Sequence, residues 1–170
     1  MKRPGTILAA VVALAGLARA QESAPVTIDT SSSATQLLRR AEDIAAENPG
    51  EAARLVQEAA DRFAGKLVPW PPETDRYRSA AAAAEDLLRA NPAVLDRWLK
   101  REAPVAERAV AEGAWIETVR ARGATPAALV AMQRLAQRAM DEGRAFEARL
   151  WIERALRHPS LDEATRARLE

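Results

Sequence analysis

Residues 129–159, LVAMQRLAQRAMDEGRAFEARLWIERALRHP, decide the fold class of this chain. Leu129, Met132, Ala136, Ala139 and Met140 recur at helical spacing, and Ala148, Trp151, Ile152, Ala155 and Leu156 do so again after Gly143. Two apolar stripes of helical period on either side of a turn glycine describe two helices folded back on each other. His158-Pro159 ends the second, because a proline cannot continue a helix.

Moving outward, the same punctuation recurs. Thr125-Pro126, after Gly123, supplies a cap and a first helical residue for the 129–140 stripe. Pro104 predicts the start of a short helix, Ala106 to Glu112, and Gly113 loosens the chain before Trp115, Ile116 and Val119. Asn91-Pro92 opens another short helix carrying Val94, Leu95, Trp98 and Leu99. Before it, the spacing predicts a helix from about Asp75 to Ala90 with Tyr77, Ala81, Ala84, Leu87 and Leu88 turned inward.

Near the start of the domain, Ser33 and Gln36 have capping-box spacing. Leu37, Leu38, Ala41, Ile44 and Ala45 form the first stripe. Asn48-Pro49-Gly50-Glu51 stops that helix and starts the next, whose stripe is Ala52, Leu55, Val56, Ala59 and Phe63, closed by Gly65. Between Leu67 and Pro72, three prolines in four positions forbid a helix and favour an extended path. No stretch reads convincingly as a strand. The expected fold class is all-α, with about seven or eight helices.

Residues 1–20 stand apart. Lys2 and Arg3 precede an uncharged apolar run from Ile7 to Leu17, and Ala18-Arg19-Ala20 has the small-x-small pattern of a signal-peptidase site. The run is about eleven residues, short of the roughly 20 that span a bilayer. The expected organisation is a signal peptide at 1–20, a flexible leader at 21–32 and a helical domain at 33–170. Ser160 and Glu163 have the spacing of one more capping box, so the domain is expected to continue beyond Glu170. The expected location is outside the cytoplasm, periplasmic or secreted, with no membrane attachment after cleavage.

Composition sharpens this. The chain has 170 residues, 48% of them hydrophobic and only 4% aromatic, with 25 basic residues against 24 acidic. Removing Lys2, Arg3 and Arg19 leaves 22 basic residues against 24, a charge of −2. Intermixed signs near neutrality give no long-range pull on nucleic acid. With no cysteine and one histidine, thiol, iron–sulfur and His-rich metal chemistry have no ligands to draw on. The seven glycines never take phosphate-loop spacing, and Gly65-Lys66 is followed by Leu67 rather than Ser or Thr.

The remaining chemical candidates read as structural. His158 sits at a helix C-terminus, where an imidazole suits the helix dipole. The pairs Glu42-Asp43, Glu85-Asp86 and Asp141-Glu142 fall among arginines on polar helix faces, as Glu85 does with Arg89 four residues on. Trp98, Trp115 and Trp151 lie on apolar stripes and fill space that alanine leaves. Trp70, held among prolines, is the exception; with Tyr77 it is the candidate interaction surface. No catalytic, cofactor-binding or metal-binding residue is expected, and no cofactor.

Leu135 to Pro159 resembles a tetratricopeptide-type hairpin through Ala136, Ala139, Gly143, Ala148, Ile152, Ala155 and Pro159, where small residues let two helices approach closely. Residues 33–65 look like a second, degenerate copy, although both lack the usual aromatic and Leu-Gly pair of the first helix. The resemblance implies tetratricopeptide-like hairpins in a compact right-handed array. The order of features from Phe63-Ala64-Gly65-Lys66-Leu67-Val68-Pro69 through Arg76-Tyr77, Asp86-Leu87-Leu88-Arg89, Trp98, Pro104, Thr125-Pro126 and Gly143 to Trp151 and Arg154 looks like something narrower. It is similar to the helical N-terminal region of exported PQQ-binding-like β-propeller repeat proteins over roughly residues 35–160. The loop at Pro71-Pro72-Glu73 departs from that pattern in lacking glycines. The resemblance implies a non-catalytic exported scaffold whose partner is a protein or a downstream propeller domain. Two alternatives share these features: an accessory domain of a quinoprotein dehydrogenase whose propeller lies downstream, and a stand-alone periplasmic tetratricopeptide-type adaptor.

Overall fold

A computed structural model of the chain describes residues 29–72, 75–163 and 166–167. The expected signal at 1–20, and the leader up to residue 28, lie outside the described residues. Among those described, the chain forms seven helices and two short strands: α1 Ser32–Ile44, α2 Pro49–Phe63, β1 Leu67–Pro69, β2 Tyr77–Ser79, α3 Ala80–Ala90, α4 Pro92–Ala111, α5 Trp115–Ala121, α6 Pro126–Asp141 and α7 Ala145–Leu156. The molecule is predominantly helical, as the apolar periodicity requires.

Four of the seven helices start on a short polar side chain that caps them. Ser31 Oγ accepts from the Ala34 amide at 3.1 Å, Asn48 Oδ1 from Glu51 at 3.1 Å, Ser79 Oγ from Ala82 at 3.2 Å and Thr125 Oγ1 from Ala128 at 3.2 Å. Each satisfies one amide that the first turn leaves unpaired. The α1 cap is therefore Ser31, two residues before the expected Ser33. Asn91 does not cap α4; its Nδ2 turns back to donate to the Leu87 carbonyl at 2.9 Å and closes α3 instead. Gly143 (φ +73°) ends α6, with Arg144 N bonded to Ala139 O and Gly143 N to Met140 O. Gly113 (φ +86°) ends α4 by the same pair of bonds, from Ala114 to Ala109 and from Gly113 to Val110. Both are Schellman closures, which need the left-handed backbone that glycine adopts freely.

Three further expectations change. The helix expected from Asp75 begins only at Ala80, because Tyr77–Ser79 pairs antiparallel with β1 in the register Leu67↔Ser79, Val68↔Arg78, Pro69↔Tyr77. Tyr77 accordingly points out of the fold, 49% exposed, rather than inward. The second change is at the leader: Leu67 donates to Asp29 O and Ser31 donates to Leu67 O, so residues 29–31 lie along β1 as a third chain of the small sheet. The folded part thus starts before residue 33. Third, the two short helices expected on either side of Pro104 are one continuous helix, α4. Its buried residues Val94, Trp98, Glu102 and Ala106 stand four apart, while Pro104 faces solvent. The carbonyl that a proline leaves without a donor then falls on the wet side, where water can take it.

Two apolar clusters result. The first joins α1, α2, α3 and β1 to the N-terminal half of α4, with Leu38, Leu55, Val56, Val68, Leu87, Leu88, Val94 and Trp98 among its members. The second joins α5, α6 and α7 through Val119, Leu129, Met132, Leu135 and Ala155, with Val110, Trp115, Trp151 and Leu161 against it. Alanine supplies 11 of the 20 buried residues of the first cluster and three of the seven of the second, small side chains that let helix backbones approach closely.

Candidate functional site

A cleft of about 630 Å³ opens between α3, α5 and α7. Its floor is built from the pair Glu85-Asp86 on α3. Arg89, one turn on, donates to Glu85 Oε2 at 3.0 Å and to Asp86 Oδ1 at 3.3 Å. Arg78 from β2 pairs with Asp86, and Arg154 from α7 reaches Glu85 Oε1 at 2.9 Å and the Val119 carbonyl at 3.3 Å. Both carboxylates are thus held as ion-paired acceptors.

His158 closes one end of this cleft. Ser160 N donates to Nδ1 at 3.1 Å, which makes Nδ1 the acceptor and leaves Nε2–H to donate to the Gly123 carbonyl at 2.9 Å. Burial pushes its imidazole below the ordinary value, and the nearby charges of Arg89 and Arg154 act in the same direction, while the bonds to the backbone of Gly123 and Thr125 oppose it. The ring is a neutral tie between the end of α7 and the loop before α6.

Gly123 itself is required by the floor. A β-carbon there would collide with Glu85 Oε1 and stand 2.9 Å from the Val119 carbonyl. The rest of the lining divides into two kinds. Ile116 on α5 and Leu150 on α7 are about half exposed, with Trp151 beside them. Arg120 and Arg157 project from the last turn of α5 and the residue after α7, and neither side chain has an ion pair or hydrogen bond among the described residues.

Of the two residues expected to form an interaction surface, Trp70 is only 9% exposed and belongs to the first apolar cluster. Its amide bonds to Arg76 O at 2.8 Å, and its peptide bond to Pro71 is cis. Tyr77 is outside. Trp70 and Tyr77 are near neighbours in the β1–β2 hairpin but present no shared face, since one ring is inside and the other out. In sequence the cleft showed only as His158 at a helix end and as one of three similar carboxylate pairs, with nothing to join them. What separates Glu85-Asp86 is Arg154, 69 residues away, and no local spacing announces such a contact.

A second polar network lies between α2, α4 and α5. The Trp98 indole donates to Gln57 Oε1 at 2.8 Å, and Gln57 Nε2 donates to Asp61 Oδ1 at 2.7 Å. Buried Glu102 accepts from Arg101 at 2.6 Å and Arg122 at 3.0 Å. These groups satisfy one another, and the network ties helices together. Among the described residues no cluster of His, Asp and Glu could hold a metal ion, and no helix is long and apolar enough to cross a membrane. No known protein family, curated protein or solved structure matches the chain.

Proposed function

We propose that this chain is a non-catalytic, exported interaction module that presents the α3–α5–α7 cleft to a protein partner. The observation that carries the reading is the state of the cleft. Its carboxylates are occupied by Arg78, Arg89 and Arg154, while Arg120 and Arg157 have no partner among the described residues and Ile116 and Leu150 are half exposed beside them. Groups already paired with one another support a scaffold, and groups left over support recognition. Export rests on residues 1–20, where a charged start, an apolar run and Ala18-Arg19-Ala20 follow one another.

The finer assignment is to a tetratricopeptide-like array at the N-terminal end of a PQQ-binding-like β-propeller protein. The hairpins α1–α2 and α6–α7, each with small residues at the helix contact, support it. A quinoprotein accessory domain and a stand-alone adaptor would share this architecture. Expression of the full chain in a Gram-negative host, followed by fractionation and an intact mass, tests the reading. The expected result is a periplasmic product beginning at Gln21. A full-length product in the cytoplasm would overturn export. Genomic sequence after Glu170 encoding repeated four-stranded segments would support the propeller assignment, and a stop codon there would leave the adaptor.

A further inference from the structure

We infer that the α3–α5–α7 cleft takes an acidic peptide segment of a partner protein, with a large apolar side chain flanked by carboxylates. The proposal rests on the reading of the chain as an interaction module and adds the chemistry of what it binds.

The two ends of the cleft differ in kind, and the backbone explains why. The C-terminal ends of α5 and α7 lie together, because His158 bonds to Gly123 O and Arg154 to Val119 O. On α5, Ile116 and Arg120 stand four residues apart on one face; Leu150 and Arg154 do so on α7, and Arg157 follows three residues on, just past its end. Each helix therefore runs from an exposed apolar side chain to an exposed guanidinium, and the shared C-terminal end brings Arg120 and Arg157 to one side. The opposite end holds Ile116, Leu150 and Trp151.

The charge balance selects an anion. Five arginines line the cleft (Arg78, Arg89, Arg120, Arg154 and Arg157) against the three carboxylates Glu85, Asp86 and Glu153. Glu85 and Asp86 are used by Arg78, Arg89 and Arg154, and Glu153 is engaged by Arg149 at 2.8 Å. The two remaining guanidiniums each present a planar fork of donors that matches a carboxylate. The helix C-termini beneath them carry only partial negative charge.

The same balance disfavours other polyanions. A nucleic-acid backbone or an anionic bilayer needs a broad cationic surface, whereas here the positive groups sit behind carboxylates in a cleft. A volume of about 630 Å³ suits a short peptide segment.

The test uses the purified full chain and the fluorescein-labelled peptide Asp-Glu-Leu-Asp-Phe-Glu-Asp in a polarisation titration. Binding is expected to weaken as salt rises. It is expected to fall roughly tenfold or more in the Arg120→Glu, Arg157→Glu double variant, since each lost charge-assisted contact is worth a sizeable share of a decade. Neither side chain has a partner among the described residues, so the double variant should lose only the modest contribution of two cations at helix C-termini and still melt as a folded protein. Arg97→Glu with Arg108→Glu, exposed positions on α4 away from the cleft, is the charge-matched control and should bind like wild type. A peptide with Asn and Gln in place of its acids should not bind, and one with Ala in place of Leu and Phe should bind more weakly.

No binding of the acidic peptide, or equal binding by both double variants, overturns the proposal. So does tighter binding to heparin or to phosphatidylglycerol vesicles with the same dependence on Arg120 and Arg157. Binding of heparin or vesicles through Arg120 and Arg157 keeps the cleft as an interaction surface and overturns only its peptide chemistry, whereas no binding of any probe removes the interaction reading as well, so the two readings fail separately.

Discussion

The carboxylate of Glu85 lies against the bare Cα of Gly123, in space that any side chain on residue 123 would need. The contact places α3 beside the loop between α5 and α6, and from there Glu85 reaches Arg154 of α7. One glycine thus decides whether α3 and α7 can share an ion pair. Gly123→Ala is expected to cost about 1–3 kcal/mol, as overpacking at a tight contact does. Urea unfolding measures it. In a Glu85→Ala background the cost should shrink but not vanish, because the Val119 carbonyl also crowds the site. Equal cost in both backgrounds would mean that the Glu85 contact carries no energy.

Pro104 lies inside α4 on its solvent face. A proline in a helix interior is about 3 kcal/mol less favourable than alanine, offset in part by the stiffness it gives the unfolded chain. Pro104→Ala should therefore raise stability by about 1–2 kcal/mol on those two terms. A loss of stability on thermal or urea melting would show that the proline holds a break rather than interrupting a continuous helix.

The Trp98 indole and Gln57 form a buried hydrogen bond 41 residues apart. Trp98→Phe removes the donor, leaves Gln57 Oε1 unpaired and opens space, at a cost of about 2–4 kcal/mol. Adding Gln57→Leu should recover part of that loss, since the orphaned acceptor goes too. A double-mutant cycle that shows no coupling would separate the two residues energetically.

His158 gives a pH signature. Its folded-state pKa is depressed, with burial the main cause, so the unfolded chain binds the proton more readily. The stability this neutral ring contributes is complete above the ordinary imidazole value of about 6.5 and is lost as pH falls from there toward the folded value. The carboxylates held below their ordinary range by arginine hydrogen bonds, Glu51, Glu58 and Glu142, act only at lower pH. Urea midpoints should therefore drop between pH 7.5 and 5.5, and His158→Gln should flatten that slope. An unchanged slope in the variant would remove His158 as its source.

Much of the helical framework was legible in the sequence. Asn48-Pro49, Thr125-Pro126, Gly113 and Gly143 mark real starts and stops because each acts within one turn of its own position. The misplaced boundaries share a cause in distant contacts. Residues 77–79 become a strand because β1 offers them a partner, and residues 29–31 join from the other side. Pro104 looks like a stop from its neighbours, yet the buried stripe on the opposite face carries α4 past it. The cleft was least legible. Its pairs join residues 8, 35 and 69 positions apart, and nothing in the local pattern distinguishes Glu85-Asp86 from Asp141-Glu142.

The length of α4 has a consequence for how the molecule comes apart. Its N-terminal half contributes Val94 and Trp98 to one apolar cluster, and near its C-terminal end Val110 packs on the other. A stack of hairpins that touch only their immediate neighbours can lose its end repeats one at a time. Here one rigid rod is shared, so releasing either cluster strips the other of part of its wall. Denaturation should be a single sigmoid reported alike by Trp98, inside the first cluster, and Trp115 and Trp151, against the second.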